Sequence, residues 1–131
     1  MALPANLANG DLINETWVDA VVDTITPTAW TAVTFQNGWS NLVGLCQYRK
    51  VGDMVQVRGI IKGGTSGSVA FTMPVGFRPP QTVRFPISSA LGDASGLPSA
   101  TVSGIDGTVT LSNTSNTGNT AVDGVQFSTV A

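Results

Sequence analysis

Beyond Trp30 the apolar residues fall into short alternating runs broken by turn residues, and none of the runs has helical spacing. The run "MVQVRGIIKG" sets the pattern. Extended, it points Val55, Val57 and Ile61 to one side and Gln56, Arg58, Ile60 and Lys62 to the other, a half-buried strand with a wet face. "LVGLCQYRK" precedes it across a Gly52-Asp53 turn, and "WTAVTF" leads into the "QNGWSN" turn. Further on come "SVAFTMP", "QTVRFPISSA", "SATVS", "GTVTLS" and "AVDGVQFSTV". "GDASG", "GIDG" and "NTSNTGNT" punctuate them, and "VGFRPP" reads as a loop because Pro79-Pro80 excludes regular pairing. About eight closely spaced strands with no helix between them predict a mainly β fold, an antiparallel sandwich or jelly roll.

The segment before Trp30 has a different grammar. "MALPANLANGDLI" shows no periodicity and reads as an extended arm. "NETWVDAVVDTITP" then carries the signals of one short α-helix, with Asn14 as N-cap, Glu15 at the positive end of the dipole and Pro27 as the stop. Helical spacing puts Trp17, Val18, Val21, Val22 and Ile25 on one face and Asp19 and Asp23 on the other. About three turns are too short to stand alone, so that face must pack, either on its own domain or on copies of itself. The division expected is residues 1–27 for anchoring and oligomerisation and 28–131 for a β-sandwich head.

Charge is scarce and segregated. Charged residues make up 11% of the 131, against roughly 25% in ordinary globular domains, which suits burial within an assembly. Residues 1–30 hold Asp11, Glu15, Asp19 and Asp23 and no base, while Arg49, Lys50, Arg58, Lys62, Arg78 and Arg84 all lie within 31–90. An acidic end and a basic middle can meet. A nucleic-acid surface is not expected, because the chain is net acidic at −2 and Arg49 and Lys50 face opposite sides of one strand.

With no histidine and a single cysteine, Cys46, the chain can build neither a Cys/His zinc site, a Ser–His or Cys–His nucleophile, nor an internal disulfide. Cys46 sits in a strand-like run and reads as a buried structural thiol. Carboxylate pairs can hydrolyse glycosides, but Asp53, Asp93, Asp106 and Asp123 each lie beside a turn glycine, where aspartate serves turn geometry. "GGTSGS" lacks the lysine of a phosphate loop and reads as a hairpin turn. No catalytic, metal or cofactor site is expected. No apolar run reaches a membrane span, and the first residues lack the basic and apolar regions of a signal peptide. One binding lead remains. Trp39, flanked by Asn37 and Asn41, either stacks on a sugar whose hydroxyls the amides bond, or plugs one end of the sandwich.

The motifs Tyr48-Arg49-Lys50, Gly52-Asp53, Val55 to Gly59, Gly63-Gly64 and Met73 to Pro79 occur in one series. The series resembles small β-domains of bacteriophage tail-fibre and minor tail proteins, notably of phages infecting actinobacteria. "VDGVQFSTV" looks like that family's closing strand, and "GDLINETWVDAVVDTI" resembles the head-proximal helix of short fibre subunits. The resemblance runs from about Gly10 to Val130. It implies a non-enzymatic, homotrimeric virion structural protein, made in the host cytoplasm and displayed on the particle. The arm would hold other virion proteins and the head would meet a host-surface glycan. A tail-fibre or tail-tip host-binding module is the leading expectation, a capsid decoration protein the alternative, and a glycan-cleaving spike the third.

Overall fold

The computed structural model describes residues 26–90, 97–115 and 118–131. The arm, the helix expected at 14–26 and its oligomerisation face of Trp17, Val18, Val21, Val22 and Ile25 thus lie outside the described residues, apart from Thr26. The described chain is mainly β, with two antiparallel sheets packed face to face.

The first sheet contains β1 (Thr31–Ala32), β2 (Ser40–Val51), β3 (Met54–Lys62), β6 (Ser88–Ser89), β9 (Thr120–Ala121) and β10 (Gln126–Ser128). They run in the order β1-β2-β3-β9-β6, and β10 also pairs with β3. The second sheet contains β4 (Val69–Thr72), β5 (Val83–Pro86), β7 (Ser99–Val102) and β8 (Thr108–Ser112), ordered β4-β8-β7-β5. Alternation decides which side chains meet between the sheets. Val55, Val57 and Ile61 of β3 are buried, as are Ala100 and Val102 of β7 and Val109 and Leu111 of β8. Phe71, Met73, Val122, Val125 and Phe127 fill the remaining space. Tyr48 and Phe77 meet edge-on at 5.1 Å, at the margin of the core.

Several runs depart from the sequence reading. "GGTSG" is not a hairpin turn but the crossing from β3 in the first sheet to β4 in the second. "QTVRFPISSA" splits into β5 and β6, which belong to different sheets, and "AVDGVQFSTV" splits at the Asp123-Gly124 turn into β9 and β10. In β4 a register shift between Val69 and Phe71 breaks the alternation, so Ala70 and Phe71 are both buried.

Gly59 marks the tightest approach between strands. Its φ is +139°, and a Cβ there would stand 2.6 Å from the Cys46 Cα. The register of β2 on β3 shifts between Val43 and Gln47, opposite this point. The freed backbone groups find partners from the far end of the chain. The Gly59 amide donates to the Asp123 carboxylate at 2.7 Å, and its carbonyl accepts from Val122 at 3.0 Å.

The sandwich has two unlike ends. At one, here the base, the Gly52-Asp53 turn meets both flanks of the described chain. Thr28 donates its amide to the Lys50 carbonyl at 2.9 Å, and Thr129 donates to the Asp53 carbonyl at 2.8 Å. The loop after β4 and the β7–β8 hairpin join them, tied by the Met73 amide on the Gly107 carbonyl. At the opposite end, the tip, the Asn37-Gly38 turn, residues 63–68 and the loop after β8 converge.

Candidate functional site

The tip is assembled from hydroxyls, amides and glycines. Asn37 takes a left-handed φ of 55°, and its Nδ2 donates to the Val69 carbonyl at 2.8 Å. The Trp39 amide donates to the Gln36 carbonyl at 3.2 Å, closing the turn. Ser66 Oγ accepts from the Thr114 amide and Ser89 Oγ from the Ser115 amide, so two loops are pinned side by side. Ser89 and Thr120 hydroxyls meet at 2.9 Å, and the Ala90 amide donates to the Asn119 carbonyl. No charged side chain lies within described residues 36–40, 63–69 or 113–120. Thr65 and Asn119 stand exposed on this surface. Buried Thr114 Oγ1 has no partner among the described residues.

Of the two readings open for Trp39, the structure shows the buried one. It is 3% exposed, its Nε1 donates to Ser68 Oγ at 3.0 Å, and it belongs to the core cluster. Gly64 lies against it so closely that a Cβ there would come within 2.0 Å of the ring. The ring plugs the end of the sandwich and offers no face to a sugar. Its flanking amides are also engaged, Asn37 with Val69 and Asn41 through Oδ1 with the Cys46 amide at 2.7 Å. The polar neighbours make turn bonds, and Asn37 and Asn41 stay exposed.

The base has the opposite character. Lys50 Nζ donates to the Gly76 carbonyl at 2.9 Å, and Arg78 Nε to the Met73 carbonyl at 2.9 Å. Asp106 accepts from the Thr108 amide and hydroxyl, and these bonds hold its carboxyl below its ordinary range. Val75 and Ile105 project from the two loops at 82% and 89% exposure.

A third surface is the outer face of the first sheet. The Arg49 and Arg58 guanidiniums lie 4.4 and 4.0 Å from the Trp30 ring centre. Gln56 Oε1 accepts from Arg49 Nε at 2.8 Å, and Gln47 Oε1 from Arg58 Nη2 at 2.6 Å. Beside them Val43, Leu45, Ile60 and Gly59 floor a shallow depression of about 370 Å³. Arg84, by contrast, lies on the second sheet, where Nε donates to Thr101 Oγ1. Lys62 stands exposed at the far end of β3, so the six cations are divided among several surfaces.

The described carboxylates serve local structure where their bonds are seen: Asp106 caps its turn and Asp123 holds the Gly59 amide. Cys46 is 1% exposed, and burial together with the negative charge of Asp123 pushes its thiol up to about 12. The buried structural thiol expected from sequence is what the fold contains. An unfolded thiol ionises near 8.5, so over pH 9–11 the unfolded state loses a proton that the native state keeps. Cys46 thus subtracts stability as pH rises through that window. The midpoint of urea unfolding should fall more steeply between pH 8 and 10.5 in the wild type than in Cys46→Ala. Parallel pH profiles would show that burial of the thiol is not linked to folding.

No family model matches the chain, and no curated protein matches it in sequence. Among solved structures it is similar to the receptor binding protein of Listeria phage PSA, with a TM-score of 0.67 and 21% identity. The match covers 86% of this chain and 73% of that one. The two share a fold.

Proposed function

We propose that this protein is a bacteriophage virion surface protein whose β-sandwich head is a host-binding module, with the tip meeting an uncharged saccharide. The observation that carries the reading is the polarity of the head. Both flanks of the described chain attach at the base, while at the opposite end described residues 36–40, 63–69, 113–115 and 118–120 present hydroxyls and amides and no charged side chain, with Lys62 exposed at the margin. Neutral polyols are recognised by such groups, each bond adding only about 0.5–1.5 kcal/mol. The fold held in common with a phage receptor binding protein supports the same reading. A single tip of this kind binds weakly. As a homotrimer, three tips act together, and linked copies raise apparent affinity by roughly 10²–10⁴.

The test uses fluorescently labelled full chain on host cells. Thr65→Lys with Asn119→Lys plants two charges on the tip without touching the core, and cell binding should fall more than tenfold. Val75→Lys with Ile105→Lys at the base should leave binding unchanged. Loss of binding in the base variant alone would reverse the assignment of the two ends. A wild-type protein that does not bind cells, with antibody label spread over the capsid, would establish the decoration role instead.

A further inference from the structure

Where β2 loses register with β3, a hollow opens on the outer face of the first sheet. The stretch from Val43 to Gln47 on β2 opposes the shorter stretch from Ile60 to Arg58 on β3. Asn41 Oδ1 takes the Cys46 amide and closes the excursion, which stands out as a ridge bearing exposed Val43 and Leu45. The opposite bank is the Asp123-Gly124 turn, and the floor between them is low because Gly59 carries no side chain. The space enclosed, about 370 Å³, is at the low end of the range for small-ligand sites.

The polar groups on its rim each have an atom to spare. Arg58 is held through Nε and Nη2 on Gln47 Oε1, at 3.1 and 2.6 Å, and lies 4.0 Å from the Trp30 ring centre. Its Nη1 has no partner among the described residues, and neither has Nε2 of Gln47. Asp123 gives Oδ1 to the Gly59 amide at 2.7 Å and leaves Oδ2 unbonded among the described residues. Donors and an acceptor, fixed beforehand, thus border an apolar floor.

The charges decide the class of ligand. An anion drawn to Arg58 meets Asp123, and a cation drawn to Asp123 meets Arg58. A neutral polyol is repelled by neither, and neighbouring hydroxyls can accept from the guanidinium and donate to the carboxylate. A pyranose also has a face of C–H groups, which matches Val43, Leu45 and Ile60.

We propose that this hollow is a saccharide site on the flank of the head, separate from the tip, that takes one neutral pyranose unit. The sugar lies with its apolar face on Ile60, between Leu45 and Asp123, and its hydroxyls bridge Asp123 Oδ2 and Arg58 Nη1. The site rests on its own geometry and is independent of what the tip binds. With so few hydrogen bonds on an open surface, its affinity is millimolar.

Backbone NMR of the full chain tests this, with glucose, galactose and mannose as probes and glucuronate and protonated glucosamine as charged counterparts. At least one neutral hexose should shift the Gly44 and Gly59 amides saturably, and both charged sugars should bind several-fold more weakly. Asp123→Asn keeps an acceptor for the Gly59 amide, yet should weaken the neutral hexose about fivefold and make glucuronate the better ligand. Arg58→Gln should do the converse and favour glucosamine. Thr65→Lys with Asn119→Lys should leave these shifts unchanged, whatever it does to cell binding, so tip and flank can fail separately. Absence of saturable shifts with all three hexoses would overturn the proposal, as would shifts confined to the tip. So would a charge preference that ignores both substitutions. Amide signals of residues 43–45 that respond to protein concentration and not to sugar would make the face a contact between copies and overturn it as well.

Discussion

Trp39→Ala is expected to lower stability by about 3–5 kcal/mol, the usual cost of emptying a large aromatic site in a core. The ring is 3% exposed, bonded to Ser68 and closed in by Gly64 and the core cluster, so nothing nearby can collapse into the gap. For a domain of this size that corresponds to a drop in Tm of about 10–20 °C. The Ser68 hydroxyl keeps its bond to the Thr65 carbonyl, so the loss is chiefly one of packing. Calorimetry on the two proteins measures it. A change below about 1 kcal/mol would mean that the ring spends its time outside the core. Any reduction in host-cell binding by this variant should follow the fraction unfolded and disappear when binding is measured well below its Tm.

Gly59→Val should be comparably severe. The added Cβ would stand 2.6 Å from a backbone atom, the Cys46 Cα, so strands β2 and β3 must part locally. The φ of +139° adds strain of order 1–3 kcal/mol for any residue with a side chain. Separation of the strands also endangers the bond from the Gly59 amide to Asp123, by which the last part of the chain is held to β3. Urea unfolding should show a loss of at least about 3 kcal/mol. Cys46→Gly should fail to rescue it, since trimming that side chain leaves the Cα in place. Full rescue would show that the approach is a side-chain contact.

These two sites also show where sequence stops being legible. The class of fold was readable because β3 alternates faithfully and its buried positions Val55, Val57 and Ile61 follow period two. The segment after β8 was readable as a loop from its composition. Trp39 was not readable. A large ring between Gly38 and Ser40 has the same neighbours whether it faces in or out, since turns require small polar residues in either case. The alternation that would have decided its direction is interrupted by the irregular register of β2 between Asn41 and Gln47. Nor could the sequence place "GGTSG" as a crossing between sheets, because hairpins and crossings draw on the same turn residues. The convergence of residues 36–38, 63–68, 113–115 and 118–119 on one end is a property of topology, and no single segment carries it.

The arrangement of the base and tip has a mechanical consequence. Tension applied between residue 28 at the base and the loops of the tip would run along the direction of the strands. The bonds that tie residues 28–33 to β2, among them Thr28 to Lys50 and Val33 to Cys46, lie across that direction. Tension therefore loads them together in shear instead of peeling them one after another. The side-chain bond from the Lys50 amide to Thr28 Oγ1 lengthens the same clamp by one contact. A sandwich built this way resists tension applied between its base and its tip better than tension that peels residues 28–33 from β2.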